Sequence, residues 1–150
     1  MQHHVHGYRW TGRGADLASD EGRRPEHPDF DPRHPGIAER KRPVLLFRQD
    51  DRPPLVVHHW LLKPIQPHAT FEHPKQAVDW LADEWRTSGA EAADHVAAQD
   101  RREYAEGSLA QGNDVVWSVW MPGGNVVYRA AVPCPTRGIH GPVVSCPIGL

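Results

Sequence analysis

Apolar positions recur with two periods along this chain, and the period changes mark its elements. His4 to Thr11 carries aromatic and β-favouring residues up to Gly12 and predicts a first strand. Pro43 to Gln49 and Leu55 to Leu62 predict two more strands, joined through Asp50-Asp51-Arg52-Pro53-Pro54 as a hairpin. Pro64 to Thr70 reads as a connector. His73-Pro74 then opens a helix, because proline suits the first helical position. Val78, Leu81, Ala82 and Trp85 repeat at spacings of three and four, one buried stripe, and Ser88-Gly89 ends it. Ala90 to Leu109 predicts a second helix with a thin stripe of Ala93, Val96, Ala97 and Tyr104. Asn113 to Met121 and Val126 to Val132 predict strands around the turn Pro122-Gly123-Gly124-Asn125.

The order β-β-β-α-α-β-β predicts an α+β fold, an antiparallel sheet of about five strands with two helices on one face. At 150 residues the chain is expected to form a single domain, 1–150, with a sizeable core. Residues 13–42 hold only Leu17, Phe30 and Ile37 as isolated apolar side chains among Gly, Pro, Asp, Glu and Arg. They predict a long polar loop, partly disordered, with a helical turn near Ala15 to Ser19. Residues 133–150 read as an irregular C-terminal segment. Residues 72–114 hold four Lys or Arg against ten Asp or Glu, which argues against these helices lying on nucleic acid. The N-terminus lacks the apolar run of a signal peptide, so the expected compartment is the cytoplasm and the two cysteines are expected as thiols.

Four groups of residues are chemical candidates. Arg9, Arg48 and Arg129 each interrupt an apolar strand-like segment. With Arg129 alternating away from Tyr128, Ala130 and Val132, and with Trp120 sharing a face with Ser118 and Val116, the sheet would present arginines, a tryptophan and a histidine. That face suits an anion, a nucleotide or single-stranded nucleic acid. The competing reading is ordinary solvent-facing arginines paired with acids of the long loop.

His58 and His59 are adjacent in an apolar run. As a strand, one would point to each face, and a histidine there is a candidate general acid or base, with Arg48 across the hairpin. The alternative is a core histidine bonded to backbone or a carboxylate. No nucleophile motif, paired catalytic carboxylates or phosphate-binding glycine loop accompanies them.

Cys134, His140 and Cys146 lie at spacings of six and form a candidate zinc set, with His68, His73 or His95 able to add a fourth ligand. No two of them have the short chelating spacing of common zinc motifs. Buried thiols and a Cys134–Cys146 disulfide are the alternatives. His3, His4 and His6 form a separate cluster able to hold a metal weakly. Six tryptophans are many for this length, and Trp80 and Trp85, or Trp117 and Trp120, cannot all face one core. Some tryptophan surface is expected at a groove or partner face.

Tyr8–Gly14, Val57–Leu62 with Ala77–Leu81, and Asp114–Trp117 with the Cys134-Pro135 and Cys146-Pro147 pairs resemble a group of small uncharacterised actinobacterial proteins. The resemblance implies a bacterial, cytoplasmic setting and brings no activity with it. The leading functional expectation is a non-catalytic binding module holding a protein or anionic ligand, without cofactor or membrane, with a homodimer as a further option. The alternatives are a small hydrolase or nuclease-like enzyme using His58 or His59 with Arg48 and Arg129, and a structural zinc protein.

Overall fold

The computed structural model describes residues 3–25, 42–135 and 144–150. Four strands, β1 (His4–Arg13), β2 (Ala69–Phe71), β3 (Val115–Trp120) and β4 (Asn125–Cys134), form one antiparallel sheet in the order β2-β1-β4-β3. The ten-residue pairing of β1 with β4 is its spine, from His4 opposite Cys134 to Arg13 opposite Asn125. Helices α1 (Arg42–Gln49), α2 (Pro74–Thr87), α3 (Ala90–Ala93) and α4 (Ala98–Ala110) complete the fold with two 3₁₀ segments, Gly14–Leu17 and Val57–Leu62.

Side-chain alternation gives the sheet two covered faces. Val5, Val115, Trp117, Val127 and Ala131 pack under α2 and α4, against Val78, Leu81, Trp85 and Leu109. Tyr8, Tyr128, Ala130, Val132 and Cys134 pack on the other side, against Trp60 and Leu61 of the second 3₁₀ segment, with Val144 and Cys146 at the margin. Gly7 is required on the helical face. A Cβ there would come within 2.8 Å of the Trp80 ring, so glycine lets α2 lie directly on β1.

The α+β class agrees with the sequence, but among the described residues there are four strands rather than five and four helices rather than two, and the second sheet face is covered as well. Pro43–Gln49 is helical, because a proline in the first turn removes an N–H that has no partner there anyway. The buried Lys63 then caps this helix, its Nζ donating to Phe47 O at 3.1 Å and Asp50 O at 2.6 Å. Val57–Leu62 is a 3₁₀ helix instead of the return strand of a hairpin, and its three-residue repeat buries Trp60 and Leu61 together. The connector 64–70 instead supplies the start of β2. The second predicted helix breaks at Asp94–Ala97, where the Asp94 carboxylate accepts the Val96 N–H. Of the predicted loop 13–42, Gly14–Leu17 forms the expected helical turn, while 26–41, including Phe30 and Ile37, lie outside the described residues. Among the described residues no helix is long and apolar enough to cross a membrane.

Candidate metal centre

β1 begins with His4 and His6, two residues apart and therefore on one face. The register places Cys134, the last residue of β4, opposite His4. The C-terminal segment returns over this corner and brings in Cys146. One ligand atom from each of these four residues lies within 4.8 Å of every other, the one such grouping of at least three His, Cys, Asp or Glu among the described residues. His4 Nε2 and His6 Nε2 are 3.0 Å apart, and Cys146 Sγ is 3.3 Å from the first and 3.5 Å from the second. A tetrahedral zinc with ordinary bond lengths needs N···N edges of about 3.3 Å and N···S edges of about 3.6 Å. These three separations are within a few tenths of an ångström of those edges.

The protonation chemistry of His6 and Cys146 also suits a cation. Burial, reinforced by the neighbouring His4, lowers the His6 pKa to about 4, so its ring is neutral at pH 7. His6 Nδ1 lies 2.8 Å from Thr70 Oγ1 on β2. With the Nδ1 proton donated to that hydroxyl, the Nε2 lone pair faces the other ligands, the usual outer support of a metal-bound imidazole. Burial opposes the Cys146 thiolate, but the backbone N–H groups of Ile148 and Leu150, with His4 and Cys134, outweigh it and bring the pKa to about 7. The tail reaches this wrapped position through Gly149, at φ +72°, a conformation that favours glycine. Cys134 is fully covered, and burial with its hydrogen bond to Cys146 raises its pKa to about 12. Burial foremost, then the Cys134 and Cys146 sulfurs, raises the pKa of the Tyr8 phenol, which lies on the same face of β1 and stacks on Trp60 at 4.9 Å. A cleft of about 260 Å³ at this end of the sheet is lined by His3, His4, Glu72 and Cys134.

The candidate residues from the sequence are thus regrouped. Cys134 and Cys146 come together as free thiols, but their neighbours are His4 and His6 rather than His68, His73 or His95. His140 lies outside the described residues. His58 and His59 sit on a 3₁₀ helix, their rings edge-on at 4.8 Å. His59 Nδ1 is buried without a hydrogen bond, and burial, then the charge of His58, lowers its pKa to about 4. Arg48 is exposed on the last turn of α1, not on a strand. Arg129 faces α2, opposite to the expected parity, because Tyr128, Ala130 and Val132 pack against the 3₁₀ side. Its guanidinium pairs with Glu84 at 3.2 Å. Arg9, 54% exposed, pairs with the same carboxylate at 3.1 Å. Trp120 is 64% exposed, its ring against Gly14.

The sequence contained two signals for the cluster, the His3, His4 and His6 group and the Cys134, His140 and Cys146 set, but as separate metal candidates. What joins them is the β1–β4 register. Comparison with known proteins returned no matching family, no matching curated protein and no matching solved structure.

Proposed function

We propose that this is a zinc-binding protein in which His4, His6, Cys134 and Cys146 hold the ion as a structural staple. The convergence of four ligand atoms within 4.8 Å, drawn from far-apart parts of the chain, carries this reading. Two imidazoles and two thiolates satisfy a tetrahedral zinc and leave it no open position, which is the pattern of structural rather than catalytic sites. Soft sulfur with imidazole favours zinc over magnesium or calcium, which take oxygen ligands. The ion would tie the C-terminal segment to the β1–β4 corner and close the sheet face over Tyr8 and Trp60.

The test is elemental analysis of the full-length, untagged protein after purification without chelators. About one zinc per chain is expected, falling well below that in Cys146→Ser and His6→Asn. Metal-free protein that remains folded, or zinc retained in both variants, would remove the proposal.

A further inference from the structure

β2 covers only Val5–Gly7 of β1, so among the described residues the outer edge of β1 has no strand partner from Arg9 onward. His68 occupies the first place beyond β2. Its N–H donates to Gly7 O at 2.9 Å, and its Nδ1 accepts the Arg9 N–H at 3.3 Å. Past it opens a cleft of about 530 Å³, lined by Arg9, Trp10, Thr11, Asp51, His68 and Arg129, with Ile65 and the edge of Trp60 as apolar wall. That volume falls in the ordinary range for small-molecule sites.

The donors in this cleft are only partly used. The Arg129 side chain is 7% exposed. Its Nε donates to Glu84, and its Nη1 donates to Trp10 O, Thr11 Oγ1 and Tyr128 O. Its Nη2 makes no hydrogen bond among the described residues. Arg9 donates through Nη1 to Glu84, and its Nε and Nη2 also make none. A single carboxylate therefore stands between two guanidiniums. His68 accepts at Nδ1, so in its neutral ring the proton is on Nε2, a further donor. Asp51 is exposed at the rim, where Arg52 and Lys63 offset its charge. Arg129 Nη2 is not among the buried atoms left without a partner, so it reaches the cleft and is available to a ligand there, and the planar guanidinium fork matches carboxylate or phosphate oxygens.

We infer that this cleft binds a small ligand through a carboxylate or phosphate group, seated on Arg129 Nη2 and Arg9, with its apolar part against Trp10 and Ile65. The site is separate from the metal cluster and does not depend on it.

The experiment is a titration of the ¹⁵N-labelled full chain, zinc present, with sodium phosphate and separately with sodium benzoate. Ionic strength is held constant, and sodium chloride is the blank. Saturable shifts are expected at the Arg9 and Thr11 amides and the Trp10 indole N–H. Saturation by one probe alone assigns that anion class, and saturation by both assigns the shared oxyanion. Arg9→Gln, at an exposed position, should weaken binding about tenfold, and Arg129→Lys at least as much. Should Arg129→Lys not fold, Arg9→Gln decides. Linear shifts equal to the chloride blank, or unchanged affinity in Arg9→Gln, would overturn the inference.

Discussion

Asp94 links three elements through one carboxylate, and replacing it with asparagine tests whether that linkage stabilises the helical layer. Its side chain is 5% exposed. It accepts the Trp85 indole N–H at 2.8 Å and the Val96 N–H at 3.0 Å, and it pairs with Arg101, whose Nη2 is 3.0 Å away. Arg101 in turn lies over Trp85 and Trp117, at 5.2 and 5.9 Å from their ring centres. Burial opposes the charged form, but Arg101 and the two N–H donors outweigh it and bring the pKa from 3.8 to about 2. The folded pKa lies below the unfolded one, so the contribution is complete above pH 4 or so and disappears as pH falls towards 2. The difference corresponds to about 2 kcal/mol, with little loss to solvent screening at a site this covered. Asp94→Asn keeps the volume but offers one acceptor oxygen and no charge. Urea unfolding followed by circular dichroism on both proteins should show the variant about 2 kcal/mol less stable at pH 7 and pH 5. The gap should shrink to about 1 kcal/mol at pH 3 and nearly close at pH 2. Other acid-sensitive groups, the His4, His6, Cys134 and Cys146 cluster included, are common to both proteins and cancel in the difference. A gap that stays constant across this range, or one under about 0.5 kcal/mol at pH 7, would refute the argument.

Gly7→Ala should destabilise by about 1–3 kcal/mol, because the new methyl meets the Trp80 ring at 2.8 Å; thermal unfolding reads it, and an unchanged midpoint would show that the ring yields freely. His59 has a folded pKa near 4 against about 6.5 unfolded, so the unfolded chain binds the extra proton in between. Wild-type stability should therefore fall as pH drops from 6.5 towards 4, and His59→Leu should flatten part of that slope; ¹H NMR should find the ring still neutral at pH 5.5. A strong chelator should lower the melting temperature, and zinc but not magnesium should restore it, by about 4 kcal/mol when free zinc is a thousandfold above its dissociation constant. Hydrogen exchange should locate the loss first at residues 144–150 and the amino end of β1.

Much of the fold was legible because its clearest elements have unambiguous periods. The α2 stripe and the β3–β4 strands with their glycine turn are of that kind. The misreadings fell on short apolar runs between prolines. Val57–Leu62 has strand-like composition, but six residues do not separate a period of two from one of three, and tertiary burial of Trp60 and Leu61 decided it. Arg129 failed for another reason. Alternation fixes that it opposes Tyr128, but both faces of β4 are apolar, so parity alone does not say which lies under the helices. The four candidate ligands were legible one by one and not as a set, because the contacts that unite them join residues about 130 to 142 positions apart.

That separation bears on why a metal would be there at all. Residues 144–150 form no helix or strand, and within them only Val144 and Cys146 pack at the margin of a core cluster. Fixing the backbone of seven residues costs about 10 kcal/mol. Val144, Cys146, Pro147 and Ile148, each only half-buried, and the turn bond from Gly149 N–H to Cys146 O return only a fraction of that. The segment nevertheless wraps so that two backbone N–H groups point at one sulfur, an arrangement that gains most when the sulfur is a thiolate. A thiol beside two imidazoles gives the wrap little reason to persist, whereas a thiolate bound to a cation supplies both the charge for those N–H groups and an anchor at the strand ends. A metal bound as proposed would thus account for the local structure of the tail, and its removal would be expected to let the tail fray.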